Sequence, residues 1–197
     1  EMQAPQIPGT LPAADIKRLK LDAFDRSNDL KPLSVVTGDI IAKNAYEWSK
    51  ATESPLAQAA VRGAEKITVR PLLGHSGKAV KLPKGASLSY DFYCDKSGDA
   101  RFTIAAIPCF LNAVKDMRVS VSIDRGEPVI CQLKEVYNSK DWKFDLWRGQ
   151  TLKSFYVTLP GGSHNVTIKA LDDNVMIDQW VLDYDVDREY YVFPVAK

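Results

Sequence analysis

The feature that most constrains this chain is a period of two that returns over and over after Gly38. In "RVSVSID", Val119, Val121 and Ile123 oppose Arg118, Ser120, Ser122 and Asp124. "RFTIAAI" sets Phe102, Ile104 and Ala106 against Arg101 and Thr103, and "SLSYDFYC" puts Leu88, Tyr90, Phe92 and Cys94 on one face. "SFYVTL" and "HNVTIKA" do the same with Phe155, Val157 and Leu159, and with Val166, Ile168 and Ala170. Successive side chains of a strand point to opposite faces, so alternation means one face buried and the other wet. Turn signals separate the runs: "KSGD", "DRGEP", "PGGSH" and "LDDN". The pattern predicts an all-β fold, two antiparallel sheets packed face to face as a β-sandwich.

The chain has 197 residues, of which 45% are hydrophobic and 26% charged, with a net charge of +1. That suits one globular domain, with or without a tail, and gives no reason to expect nucleic acid or an anionic membrane as partner. No apolar run approaches the roughly 18 residues of a membrane-spanning helix. The first residue is Glu1, which points to a cleaved precursor or a cut longer chain and leaves export open. Cys94, Cys109 and Cys131 match no zinc spacing, and the better reading is that of buried thiols acting as small hydrophobes.

Residues 1–38 differ from the rest. They carry Pro5, Pro8, Pro12 and Pro32 around the charged run "DIKRLKLDAFDRSNDLK", where Ile16, Leu19 and Ala23 fit a helix while Leu19, Leu21 and Ala23 fit a strand. The division expected is an irregular N-terminal linker, 1–38, followed by a sandwich domain, 39–197. Within the domain, the one helix signal read is "SPLAQAAVR", where Ser54 suits a cap and Pro55 the first helical position.

Catalytic patterns are sparse. "GHSGK" at Gly74–Lys78 lacks the second glycine of a nucleophile elbow and reads as a turn. His75 and His164 are the two histidines, and His164 reads as a strand-start residue. There is no Gly-rich phosphate loop and no HExxH. "NVT" at Asn165–Thr167 is a glycosylation sequon facing outward on a strand. "DYDVD" sets Asp183, Asp185 and Asp187 on one face, as a solvated acidic edge or the start of a calcium loop. Taken as extended, "DWKFDLWRG" puts Trp142, Phe144 and Leu146 on a core face and Lys143, Asp145 and Trp147 on the other. Trp147, with Tyr137 and Asn138 nearby, is then either a stacking platform for the apolar C–H face of a sugar or a ring covered by a loop.

An ordered series of motifs, "LLGHSGKAVKLP", "LSYDFYC", "AIPCFLN" leading into "RVSVSIDRGEP", "DW", and "LPGGSHNVTIKALDDNVMIDQWVLD", resembles the C-terminal domain of glycoside hydrolase family 115, the xylan α-glucuronidases. The match runs from about Gly38 to Pro194. The resemblance implies a galactose-binding-like, jelly-roll sandwich akin to carbohydrate-binding modules of families 6 and 35, noncatalytic by itself. It also implies a periplasmic or extracellular setting. In "IPCFLNAVKDM" it makes Pro108 the end of a strand and Phe110 either a plug or one wall of a site. Such modules often hold a structural calcium through two Glu of the first strand, where this chain has Ala42 and Asn44 in "IAKNAY". With Asp183 as the matching carboxylate and Asn44 as its partner, the ligand set is poor in charge, and no cofactor is expected.

The function expected is therefore carbohydrate-associated and noncatalytic. A plant-type glycan such as glucuronoxylan would be held by Trp147, Tyr137, Asn138 and His75. The rival expectation is a structural role, packing on a catalytic domain or on a second copy of the chain.

Overall fold

The computed structural model describes residues 39–110, 115–190 and 193–194; the readings made for residues 1–38 lie outside them. Among the described residues, eleven strands form two antiparallel sheets. The first sheet holds β1 (Ile40–Asn44), β3 (Thr68–Pro71), β4 (Lys78–Leu82), β6 (Gly98–Ala106), β9 (Thr151–Leu159) and β11 (Val175–Asp183), in the order β3-β4-β11-β6-β9. β1 and β4 share one edge of β11, β4 beside Val175–Ile177 and β1 beside Gln179–Asp183. The second sheet runs β2 (Lys50–Thr52), β5 (Ser87–Cys94), β10 (Gly162–Ala170), β7 (Arg118–Ile123) and β8 (Val129–Gln132). The alternating residues do what their pattern demands. Leu88, Tyr90, Phe92 and Cys94 are buried, as are Phe102, Ile104, Val119, Val121, Val166 and Ile168.

Trp180 sits at the centre of this core. It stacks on Phe102 with ring centroids 5.3 Å apart, and takes Tyr90 and Phe92 edge-on at 5.6 and 5.5 Å. Its inward position depends on a bulge. Val175 and Ile177 face the core, then the register against β6 slips between Ile177 and Gln179, so Trp180 and Leu182 take the inward positions. A bulge of one residue reverses the parity of everything beyond it. Val181 consequently faces outward, where it packs with Ala105 and Phe193, against Ile40, Ala42, Leu152 and Tyr190.

The described residues also form two short helices: α1 (Pro55–Gln58), capped by Ser54 and opened by Pro55 as expected, and α2 (Lys140–Arg148). Among the described residues no helix is long and apolar enough to cross a membrane. Cys94, Cys109 and Cys131 are free thiols; Cys94 and Cys131 are buried and Cys109 is partly so.

The long connection after β6 has a topological cause. It leaves the first sheet at Ala106 and enters the second at Arg118, so it must cross from one layer to the other. Met117, fully buried, fills the core at that crossing. Phe110 is not a plug: it is 46% exposed and sits edge-on to Trp142 at 6.1 Å.

Candidate functional site

The segment expected to be extended, "DWKFDLWRG", is helical instead. Ser139 accepts a hydrogen bond from the Trp142 amide at 3.0 Å as N-cap, Asp141 lies in the first turn and Arg148 in the last. Gly149 closes the helix in the left-handed region, φ +70°, its N–H donating to Asp145 O at 2.8 Å. These are favourable signals at both ends of a helix. At 100° per residue the faces predicted for a strand dissolve. Phe144 and Leu146, placed in the core by the extended reading, are 49% and 40% exposed. Asp145, placed outside, is buried and accepts the Thr151 hydroxyl at 2.7 Å. Burial holds the Asp145 carboxyl above its usual pKa, against the lowering effect of that hydroxyl.

Trp147 is 85% exposed, on the last turn of α2, with Phe144 beside it at 6.5 Å between ring centroids. The Arg148 guanidinium lies over the Phe144 ring at 5.2 Å. Tyr137, 61% exposed, stands at the other end of the helix, edge-on to Trp142 at 5.0 Å. A helix of this length spans roughly 13 Å, so Trp147 and Tyr137 mark two ends of one ridge and do not form one stack. Asn138, exposed and left-handed at φ +61°, turns the chain into the Ser139 cap.

His75 belongs to the Trp147 end. Its Nε2 donates to Arg148 O at 2.8 Å, pinning the last turn of α2 to the Gly74–Gly77 turn. That turn is in turn clamped by Asp178, the residue at which β11 slips register. The fully buried Asp178 carboxylate accepts from His75 N at 2.8 Å, Ser76 N at 3.2 Å, Ser76 Oγ at 2.5 Å and Gln150 Nε2 at 2.7 Å. A Cβ on Gly74 would stand 2.3 Å from Asp178 Oδ1, and Gly74 is at φ +79°, so glycine is required there twice over. Ser76 thus gives its proton to a carboxylate and His75 Nε2 to a carbonyl. They form no nucleophile–base pair, and the turn reading of "GHSGK" holds. Asp178 and Gln150 were missed at the sequence level; the anchor for a helix near residue 148 lies in a bulge 30 residues further on.

The calcium pair does not come together. Asn44 pairs with Gln179 across the β1–β11 ladder, whereas Asp183 pairs with Ile40. Four positions along a strand is about 13 Å, beyond any shared ion. Asn44 Oδ1 accepts from Gln179 Nε2 at 3.2 Å. Asp183, fully buried rather than part of a solvated edge, accepts from the Tyr190 hydroxyl at 2.7 Å and from Asp185 N at 2.9 Å. Its Oδ2 also pairs with Arg188 Nε at 2.9 Å. An internal guanidinium stands as its counter-charge, so these residues do not fit calcium. Burial and the Asp183 carboxylate push the Tyr190 phenol well above its usual pKa. Asp185 and Asp187 are exposed.

Residues 37–196 match the family model of the glycosyl hydrolase family 115 C-terminal domain. Among solved structures, the chain is similar to a family GH115 4-O-methyl-α-glucuronidase with specificity for decorated arabinogalactans: 27% identity, TM-score 0.62, over 73% of this chain and 17% of the enzyme. It is also similar in fold to the C-terminal family 6 carbohydrate-binding module of a laminarinase from Zobellia galactanivorans (16% identity, TM-score 0.50, 74% of this chain and 99% of the module). A family 35 carbohydrate-binding module from Clostridium thermocellum aligns at 13% identity and TM-score 0.51, over 73% of this chain and 98% of the module. No relative was found among curated protein sequences.

Proposed function

The chain belongs to the glycosyl hydrolase family 115 C-terminal domain family, and from that premise we propose that it is a noncatalytic glycan-binding module that grips its ligand on the α2 ridge. The observation that carries this reading is Trp147, 85% exposed on a helix fixed at both caps. A tryptophan left in water on a rigid support is an apolar plate without a partner, and a pyranose C–H face supplies one. His75 holds the plate's helix, and Tyr137 and Asn138 extend the surface toward the far end. Lys143 and Arg148 flank Trp147 on the same helix, which favours glycans bearing carboxylates. Glucuronoxylan and decorated arabinogalactan are the ligand classes we assign, the second after the specificity of the similar glucuronidase.

A second reading, an interface with a catalytic domain or another copy of the chain, is favoured by the breadth of exposed apolar surface. Val136 is 77% exposed, and Tyr137, Phe144, Leu146 and Trp147 on or beside the same helix are exposed too, more than one sugar ring requires. Titrating the chain with glucuronoxylan and with decorated arabinogalactan, following tryptophan fluorescence, separates the two. A saturable spectral change with a monomeric mass supports the module. No change with either glycan, together with a concentration-dependent mass, supports the interface.

A further inference from the structure

A second surface, on the second sheet and lined by no residue of α2, carries saccharide chemistry of a different kind. A recess of about 640 Å³ opens where β5, β10 and the end of β7 meet, lined by Asp91, Tyr93, Asp124, Ser163 and Asn165 above the buried Phe92 and His164. Register builds it: Tyr93 pairs with Ser163 and Asp91 with Asn165, side by side on β5 and β10. Tyr93 is 63% exposed.

The polar groups of this recess are locked to one another. Asn165 N donates to Asp124 Oδ1 at 2.9 Å, and Asn165 Nδ2 donates to Asp91 Oδ1 at 2.7 Å. Thr167 Oγ1 donates to Asn165 Oδ1 at 3.2 Å. From beneath, His164 Nδ1 meets Asp124 Oδ2 at 2.6 Å, and its ring packs on Phe92 at 5.5 Å. Side chains already held in place lose little freedom when a ligand arrives. A carboxylate accepts about four hydrogen bonds, and the outward-facing capacity of Asp91 and Asp124 is acceptor capacity. It calls for hydroxyl donors. Among the described residues no lysine or arginine lines the recess, so a sugar carboxylate would meet two carboxylates and no lining surface cation.

We infer that this recess is a second saccharide-binding site, specific for a neutral glycan, with a pyranose face laid on Tyr93 and hydroxyls donating to Asp91 and Asp124. It stands independently of the α2 ridge, whose cations favour the opposite charge class. The sequon residue Asn165 is then the hinge of the polar network, its amide engaged by Asp91.

The test is an amide-shift titration of the full chain with xylohexaose, laminarihexaose, mannohexaose and β-1,4-galactohexaose, beside a glucuronic-acid-bearing xylo-oligosaccharide. At least one neutral oligosaccharide should move the amides of Asp91, Tyr93 and Asn165, while the acidic one leaves them in place. Tyr93→Ala should weaken that binding by about tenfold or more, as loss of a central aromatic contact does, and Trp147→Ala should leave it intact. Tyr93→Phe, which keeps the plate, should retain most of the affinity. The inference is overturned if none of the four neutral sugars moves those amides at millimolar concentration. It is equally overturned if Tyr93→Ala keeps full affinity, or if Trp147→Ala alone abolishes it. Because the α2 reading is scored on acidic glycans and Trp147, each can fail without the other.

Discussion

The imidazole of His75 reaches across 73 positions of sequence to the carbonyl of Arg148, at 2.8 Å. This contact ties the last turn of α2, and with it Trp147, to the sandwich. His75→Ala should cost no more than about 1 kcal/mol, the scale of one hydrogen bond at an exposed site. Its local effect should be larger: amide exchange across Asp145–Gly149 should quicken while that of β10 stays unchanged, measured by hydrogen–deuterium exchange.

Two glycines of the same turn should respond differently. Gly74→Ala forces a Cβ to 2.3 Å from Asp178 Oδ1, whereas a Cβ at Gly77, φ +76°, meets nothing within 4 Å. Gly77→Ala pays only for the left-handed backbone, about 1–2 kcal/mol. Gly74→Ala adds the displacement of a fully buried carboxylate and should exceed that by about 2 kcal/mol or more. Equal losses in chemical denaturation would show that Asp178 is not the anchor.

The pair His164–Asp124 sets a pH window. Burial alone would lower the imidazolium's pKa, but the Asp124 carboxylate and the Pro160 carbonyl, 2.8 Å from Nε2, outweigh it and the pKa is raised. For Asp124 burial raises the pKa, yet His164 and the Asn165 N–H bring it below normal. The raised His contributes stability in full below its unfolded pKa of about 6.5, and loses it as pH climbs through the folded value. The lowered Asp contributes above its unfolded pKa of about 3.9, and loses it as pH falls through the folded value. Melting temperature should therefore be highest between about pH 4 and pH 6.5 as far as this pair is concerned. His164→Asn should flatten the fall on the alkaline side; an unaltered profile would contradict the pairing.

Calcium should make no difference. A site of micromolar affinity at millimolar calcium would add about 4 kcal/mol, so a chelator would lower the melting temperature by many degrees if one existed. With Asp183 countered by Arg188, we expect melting curves with and without chelator to coincide. Arg188→Met, which leaves a fully buried carboxylate without its cation, should cost up to about 3 kcal/mol.

Much of the fold was legible because burying one face of a strand imposes a period of two, and "RVSVSID" or "SLSYDFYC" admits no other reading. The helix α2 was not. Residues 141–146 alternate polar and apolar, which satisfies a strand pattern as well as a helical one, and the deciding signals, Ser139 before and Gly149 after, lie outside the alternation. Trp147 is exposed in either geometry, but its neighbours change from Asp145 to Phe144 and Lys143. The Asp178 bulge was hidden for a different reason. "VMIDQWVLD" shows that the apolar phase shifts, yet the reward for the shift is four hydrogen bonds from the Gly74–Ser76 turn and Gln150, which no local pattern encodes. Asn44 and Asp183 failed as a pair because ladder register, not residue type, decides which side chains meet.

The most direct test of the glycan platform on α2 is Trp147→Ala, followed for melting, for retention on glucuronoxylan and decorated arabinogalactan, and for mass in solution. A ring that is 85% exposed contributes little to folding, so stability should hold within about 0.5 kcal/mol, the mass should stay that of the wild type, and glycan retention should be lost. Retention at the wild-type level, or a wild-type dimer that dissociates in the variant, would contradict it.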